Sequence, residues 1–258
     1  MLQFIKDDNN NINAIINQWL DGHKAVYSNF FGLDNEKSYE YFMTEHSVLI
    51  RMKEFYFHRV YFLSDNKAEI TELLRHLDDS TYVFNLPTKK PFEEWDALLK
   101  ECGFEYYETY TKYNIDMSTK QITPVEHVED ANSDEAEAIM DLLVDGLPIF
   151  TAHLPEKEKL VQLISERKVR VTHDDDGSVT GVCISYVTGT TASGDAWVNK
   201  GENGLDLLMD MYNGFINNGA KRYLFWVRDS NTKVRKMYIR SGAVSLGIKD
   251  YTYVKYNK

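Results

Sequence analysis

Polar side chains in the second half of the sequence have the chemistry that proton transfer requires. Tyr238 carries a phenol, a group with a reference pKa near 10 that can act as a general acid. Asp195 carries a carboxylate, which can accept a proton directly or through a water molecule. Asn231 lies seven residues before Tyr238, and Gly242 lies four residues after it. This spacing predicts one helix that begins near Asn231, carries Tyr238 two turns further along and ends before Gly242.

The local sequence supports such a helix at both ends. Tyr223 to Val227 is a short aromatic and branched run that is typical of a buried strand. Asp229 to Asn231 supplies turn and N-cap side chains, and Gly242 supplies the left-handed residue that follows a helix. An apolar strand pair is predicted from Val244 to Tyr256. The same pattern also suits an ordinary amphipathic helix with a capping asparagine and a packing tyrosine.

This order of strand, helix and strand resembles the last quarter of the GNAT superfamily of acyl-CoA-dependent N-acyltransferases. The resemblance rests on Asn231, Tyr238 and Gly242, with the strand Tyr223 to Val227 before them. It implies that Asn231 contacts the pantetheine arm of the cofactor. It also implies that Tyr238 protonates the departing CoA thiolate.

The elements predicted upstream follow the order of the GNAT fold. They are a strand at Gln121 to His127, a helix from Asn132, a helix at Glu156 to Arg167, strands at Val169 to Thr172, Val179 to Val187 and Ala192 to Val198, a turn at Asp174 to Gly177, and a helix at Leu205 to Asn217. The implied fold class is α/β (α+β) with mixed, mostly antiparallel sheets. Residues 119–258 are therefore expected to form a GNAT acyl-CoA-binding domain.

The sequence also contains an internal repeat, which is the mark of a duplicated architecture. Each copy has an aromatic strand followed by a helical segment that ends in glycine, Gly103 in the first copy and Gly242 in the second. Unless aromatic strands are alike by chance, the chain consists of two tandem GNAT-like domains, residues 1–118 and 119–258. The matched segments are Thr81 to Pro87 with Arg222 to Arg228, 141 residues apart, and Tyr110 to Asn114 with Tyr253 to Asn257, 143 residues apart.

The first domain is predicted to be a degenerate copy. The loop before its helix at Ser64 has no glycine, and Pro87 and Pro91 stand before its last helix. We therefore expect this half to bind no cofactor and instead to form one wall of the site that binds the acceptor amine. Its predicted elements are a strand at Met1 to Ile5, a mainly helical region from Asn11 to Glu45 interrupted at Gly32 to Glu36, a strand pair at His46 to Glu54 and Phe55 to Ser64, and helices from Ser64 and Phe92.

The segment Val198 to Leu205 stands where the GNAT resemblance requires the cofactor loop. A pyrophosphate binds where backbone N–H groups converge at a helix N-terminus. Against the family pattern R/Q-x-x-G-x-G/A, Asn199 replaces Arg or Gln, Glu202 replaces the first glycine, and Gly204 retains the last. A loop that only turns the chain is the alternative. The cofactor contacts that the resemblance implies are Trp197, Val198, Lys200, Gly201, Asn203, Gly204, Leu205 and Asn231.

The residues of this loop act in opposite directions on a dianionic ligand. Gly201 can serve the tight turn, Asn203 tolerates a positive φ, and Lys200 offers a compensating charge. Glu202 and Asp206 carry negative charges that oppose binding.

Asp195 lies on the strand before this loop. Strand alternation predicts Asp195 and Trp197 on one face, with Ala196 and Val198 on the other. An amine like that of lysine has a reference pKa near 10.4, so it must lose a proton before it attacks. Asp195 could relay that proton through water, or it could be a solvated edge carboxylate. Tyr238 and Asp195 are the catalytic candidates.

Composition limits the partners of the chain. The net charge of −11 argues against nucleic acid and suits a cationic substrate, although solubility alone also explains an acidic surface. Cys102 and Cys183 are expected to be core thiols, and His173 beside Asp174 to Asp176 suits a hairpin turn rather than a metal site. Neither a leader-like N-terminus nor an apolar run of membrane-spanning length is seen, so we expect a cytoplasmic protein.

The expected function is acyl-CoA-dependent N-acyltransfer, with acetyl-CoA or another acyl-CoA as co-substrate and a small-molecule or peptide amine as acceptor. The alternative is a catalytically inactive GNAT-fold binding or interaction protein, which the altered cofactor loop favours. No metal, nucleic acid or membrane partner is expected. Because the duplication makes the chain its own pseudo-dimer, we expect a monomer.

Overall fold

The computed structural model describes residues 2–7, 11–25, 27–29, 37–89 and 93–257. Its contacts divide the chain into two compact units. Unit 1 comprises Met1–Tyr110 together with Ile248–Lys258, and unit 2 comprises Thr111–Gly247. Each unit is therefore completed by a segment that belongs to the other half of the sequence. The division into a degenerate GNAT-like domain at residues 1–118 and an acyl-CoA-binding domain at residues 119–258 stays a prediction.

Unit 1 is an α/β unit in which helices cover both faces of a sheet. Its elements are β1 (Ile5–Lys6), α1 (Ile12–Gly22), β2 (Tyr27–Ser28), β3 (Tyr39–Met43), β4 (Ser47–Glu54), β5 (Phe57–Ser64), α2 (Lys67–Arg75), β6 (Tyr82–Thr88), α3 (Glu93–Glu101), the first part of β7 (Glu105–Asp116) and the last part of β13 (Val244–Lys255). The strand order is β1-β3-β4-β5-β6-β13, and β2 pairs with β5 outside this order. β5 and β6 are parallel, whereas β6 and β13 are antiparallel.

Unit 2 repeats this plan with other residues. Its elements are the last part of β7, β8 (Glu129–Asp130), α4 (Ala136–Gly146), α5 (Lys157–Ser165), β9 (Val169–His173), β10 (Val179–Thr188), β11 (Thr191–Asn199), α6 (Gly204–Asn217), β12 (Arg222–Arg228), α7 (Thr232–Arg240) and the start of β13. The strand order is β7-β12-β11-β10-β9-β8. β11 and β12 are parallel, and β8 to β11 are antiparallel neighbours.

The alternation of side chains along single strands creates a core on each face of each sheet. In unit 1, Val48 and Ile50 pack with α1, and Leu49 between them packs with α2 and α3. In unit 2, Val182 and Ile184 pack with α4 and α5, and Cys183 between them packs with α6 and α7.

Three expectations about secondary structure are wrong. The helix that begins near Asn11 ends at Gly22, and Tyr39–Met43 is a strand that pairs with β4. The predicted interruption at Gly32 to Glu36 lies outside the described residues. Gln121 to His127 forms no strand, because Pro124 lacks a backbone N–H, and Thr123 is held instead by the side chain of Asn213.

The third error concerns the end of the chain. Val244–Lys255 is one strand rather than a strand pair. Gly247, with a φ of +68°, lies within the strand without ending it. It is also the last residue that belongs to unit 2.

The hairpin between β4 and β5 is confirmed, although no glycine or proline marks its turn. Phe55 itself adopts the left-handed conformation, with a φ of +48°. The core positions of both thiols are confirmed as well, since Cys102 and Cys183 are buried. Burial raises the pKa of the Cys183 thiol to about 12, so this group stays protonated at neutral pH.

Candidate functional site

The parallel strands β11 and β12 separate partway along their length. They form the residue pairs Thr191 with Arg222, Ala192 with Tyr223 and Ser193 with Leu224, and no later pair among the described residues. Because the strands are parallel, the gap opens at the carboxyl ends of both. Helices α6 and α7 follow these strands directly, so both begin at the open end of the gap. Open α/β sheets bind ligands at such an edge.

A β-bulge lies on β11 where this separation starts. In the register with β10, Ser185 pairs with Gly194 and Ile184 pairs with Ala196, so Asp195 is an extra residue. A bulge bends its strand and increases the twist. It also interrupts the alternation on which the predicted direction of Asp195 depends, because Ala192 and Ala196 lie in different cores.

The loop after β11 has an exposed helix N-terminus at its end. Asn203 is the N-cap residue of α6, and its side chain makes no hydrogen bond to the helix. The N–H groups of the first turn are therefore not capped by that residue, and they carry the positive end of the helix dipole. The φ of Asn203 is −87°, so its tolerance of positive φ is not used.

The glycines of the loop are required for space rather than for positive φ. A Cβ atom on Gly204 would lie 2.7 Å from the Asn199 amide nitrogen, and one on Gly201 would lie 2.7 Å from Thr180 Oγ1. The Asn199 amide lies within the loop, where its Nδ2 donates a 2.5 Å hydrogen bond to the Gly201 carbonyl. Lys200, predicted to compensate phosphate charge, forms an ion pair with Asp145.

Tyr238 lies in the core of unit 2 with only 5% of its surface exposed. Its ring packs against Phe225 of β12, with 4.4 Å between the centroids. Burial raises the pKa of the Tyr238 phenol well above 10, while a hydrogen bond with the Tyr223 hydroxyl lowers it. The Tyr223 hydroxyl fits because a Cβ atom on residue 194 would lie 2.7 Å from it, and residue 194 is glycine. The sequence analysis did not identify Tyr223 or Gly194.

Asp195 and Tyr238 have different surroundings. The Asp195 side chain reaches solvent. Partial burial raises the pKa of its carboxyl group, and the Tyr186 hydroxyl and the Lys168 ammonium group lower it. A carboxylate with a raised pKa is a better base than an ordinary aspartate.

The other predicted contact residues lie at several depths. Trp197 is half-buried against the α6 and α7 core, and its indole Nε1 has no hydrogen-bond partner in the described part of the chain. Val198 is buried in the α4 and α5 core instead, and Leu205 is exposed. Asn231 caps α7 as predicted, with 3.2 Å from its Oδ1 to the Val234 nitrogen. Gly242, with a φ of +86°, ends that helix region as predicted.

The corresponding helix of unit 1 begins differently. Asn66 caps α2, and its Oδ1 accepts hydrogen bonds from the backbone nitrogens of Ala68 at 3.1 Å and Glu69 at 3.2 Å. In α2, therefore, a side chain already occupies backbone N–H groups of the first turn. In α6 the N-cap side chain leaves the equivalent N–H groups uncapped.

The described residues contain no group of three or more His, Cys, Asp or Glu side chains that could hold a metal ion. His173 bonds to Glu135 at 2.5 Å, and Gly177 completes the predicted turn with a φ of +85°. In the same part of the chain, no helix is long and apolar enough to cross a membrane.

Comparison with known proteins gives matches among solved structures alone, since no family model and no curated protein matches. A GCN5-related N-acetyltransferase from Sphaerobacter thermophilus matches with a TM-score of 0.60 and 13% identity, covering 99% of this chain and 96% of that one. A GNAT-family acetyltransferase from Colwellia psychrerythraea matches with a TM-score of 0.55 and 11% identity, covering 99% of both chains.

A tandem GNAT protein from the clavulanic acid biosynthesis pathway is also similar. Its TM-score is 0.57 at 13% identity, with 98% of each chain covered. At these identities the likeness concerns the fold, and it extends over both units. The chain therefore has the fold of the GNAT N-acetyltransferases, as two tandem GNAT-like domains.

Proposed function

We propose that this chain is an N-acyltransferase that transfers an acyl group from acetyl-CoA or another acyl-CoA to an amine of a small molecule or peptide. The single observation that carries the proposal is the gap between β11 and β12. The N-termini of α6 and α7 border this gap, and the buried phenol of Tyr238 lies beneath it. The GNAT fold of the chain supports the same reaction class by analogy.

The backbone around the gap has features that suit a bound CoA molecule. The uncapped N-terminus of α6 suits a pyrophosphate, and the missing Cβ atoms of Gly201 and Gly204 keep the loop close-packed. Glu202 and Asp206 reduce the affinity for an anion, so we expect binding that is weaker than the fold allows.

Bound acyl-CoA would supply a thioester, with an electrophilic carbonyl carbon and a thiolate leaving group. Tyr238 holds a proton at its Oη atom, because burial keeps the pKa of the phenol far above neutral pH. It is thus an acid rather than a base under physiological conditions. Asp195 accepts a proton at its carboxylate, directly or through water, from the amine of the acceptor. Asn231 orients the start of α7 at the gap through its cap hydrogen bond.

Calorimetric titration with CoA and acetyl-CoA tests the binding step. We expect one CoA per chain, because Asn66 occupies the helix donors of unit 1. Absence of any heat of binding at millimolar ligand would exclude the proposal. Two molecules bound per chain would contradict the assignment of unit 1 as the half without cofactor.

Turnover of Tyr238→Phe tests the chemical step, once a screen of amines has found an acceptor. Loss of the phenolic proton should lower turnover by roughly 10²-fold or more with little change in CoA affinity. Tyr212→Phe is the matched control, because the Tyr212 hydroxyl is buried in the same core and has no hydrogen-bond partner in the described residues. Equal turnover of Tyr238→Phe and wild type would remove the acid role.

A binding protein without catalysis is the second candidate. The Asn199 amide within the loop and the ion pair of Lys200 with Asp145 favour it, because both use groups that could otherwise contact phosphate. CoA binding together with an amine screen that finds no acylated product would support this candidate.

A further inference from the structure

Unit 1 contains its own gap between parallel strands. β5 and β6 form the pairs His58 with Tyr82, Arg59 with Val83 and Val60 with Phe84, and the described residues form no later pair. Beyond Val60, β5 continues to Ser64 without β6 beside it. This is the same geometry as the gap between β11 and β12.

The short strand β2 lies in this gap. It pairs with the end of β5, Tyr27 with Ser64 and Ser28 with Leu63. β4 already covers one edge of β5 along its whole length, from Glu54 with Phe57 to Ser47 with Ser64. Since a strand has only two edges, β2 must pair with the edge that faces β6.

The residue after β2 joins the two separated strands. Asn29 Nδ2 donates to the carbonyl oxygens of Val60 on β5, at 2.9 Å, and of Asn85 on β6, at 3.0 Å. Its Oδ1 accepts from the backbone nitrogen of Phe62 at 2.8 Å. Only 1% of Asn29 is exposed, so these backbone groups have no access to water as an alternative. One carboxamide thus bridges β5 and β6 at the point where their own pairing ends.

We propose that Tyr27–Asn29 acts as a built-in ligand of unit 1, and that the gap between β5 and β6 is a binding site for a carboxamide, filled by Asn29. The gap of unit 2 is not bridged in this way. Among the described residues, no side-chain hydrogen bond joins residues 195–199 of β11 to residues 225–227 of β12. The assignment depends on contacts within unit 1 alone, so it stands whether or not unit 2 binds acyl-CoA.

Asn29→Ala removes the carboxamide and leaves a space that formamide, a free carboxamide of the same size, can enter. We expect the melting temperature to fall by roughly 5–10 °C, because three buried backbone groups lose their partners. We also expect the Phe62 amide hydrogen to exchange with solvent at least about tenfold faster, since a local opening now exposes it. Formamide at about 0.1 M should raise the melting temperature of Asn29→Ala and slow the exchange of its Phe62 amide hydrogen. It should do neither in the two controls.

The controls are wild type and Asn218→Ala, which removes an exposed carboxamide that donates to the Gly214 carbonyl. Formamide effects on Asn29→Ala that equal those on both controls would overturn the proposal. If Asn29→Ala does not fold, the melting temperature of Asn29→Asp tests the proposal instead. This variant keeps the acceptor for Phe62 but places a carboxylate against two carbonyl oxygens, so it should melt well below wild type at pH 7, and equal melting would refute the carboxamide requirement.

Discussion

Replacing Asp250 with asparagine should remove a pH-dependent weakness from unit 1. Asp250 lies on β13, where its Oδ2 accepts from Asn85 Nδ2 at 3.2 Å and its Oδ1 has no hydrogen-bond partner in the described residues. Burial raises the pKa of this carboxyl group from 3.8 to about 6, against the opposing effects of Arg59, Asn85 and the Leu86 backbone N–H, which all lower it. The folded chain therefore binds this proton more tightly than the unfolded chain does.

The sign and size of the effect follow from proton linkage. A raised pKa contributes stability that is fully present below pH 3.8 and is lost as the pH rises through about 6. The rise of about two pKa units corresponds to a loss of about 3 kcal/mol by pH 7.5. The introduced carboxamide would keep an acceptor for Asn85 without an ionisable proton, so Asp250→Asn should gain about 2–3 kcal/mol at pH 7.5 and little at pH 4.

Urea unfolding at pH 4, 5, 6 and 7.5, followed by tryptophan fluorescence, measures this difference. The control is Asp116→Asn, at an exposed carboxyl group whose pKa is lowered by hydrogen bonds from Ser118. As the pH rises, that control should lose stability relative to wild type, whereas Asp250→Asn should gain it. A constant difference between Asp250→Asn and wild type across the four pH values would refute the reasoning.

Four further substitutions test the site and its helices. Gly204→Ala should weaken CoA binding and lower stability by about 1–3 kcal/mol, because its Cβ would meet the Asn199 amide, and titration with CoA and urea unfolding would measure both. Asn231→Ala should cost about 1 kcal/mol of stability by removing the cap of α7, and an unchanged urea midpoint would contradict this. Gly242→Ala, at a φ of +86°, should destabilise by about 1 kcal/mol, whereas Gly214→Ala, in open space within α6, should stabilise by up to about 1 kcal/mol in the same assay.

The sequence predicted those features that depend on neighbouring residues. The α7 boundaries follow from the cap side chain of Asn231 and the left-handed Gly242, and both act within one turn of the helix end. The repeat and the order of elements in unit 2 were visible because period-two and helical patterns are local. The fold class was implied by the resemblance that Asn231, Tyr238 and Gly242 carry, and the tandem arrangement by the repeat.

Features that depend on distant partners were not predictable. Tyr39–Met43 is a strand because β4 pairs with it, although nothing in its five residues excludes a helix. The bulge at Asp195 appears only in the register with β10. Asn29 shows no motif, since its partners on β5 and β6 lie 31 to 56 residues away. Tyr223 bonds to Tyr238 only because Gly194 leaves room on the neighbouring strand.

The segments exchanged between the halves of the sequence determine the order in which a nascent chain can fold. Unit 2 uses residues 111–247, so all its residues have been synthesised before Ile248–Lys258 is made. Unit 1 starts first but needs Ile248–Lys255 to cover the edge of β6. Until then Tyr82–Thr88 presents an apolar strand with one unpaired edge, which is prone to incorrect pairing. Unit 1 is begun first, but its sheet cannot be completed until unit 2 has been synthesised in full.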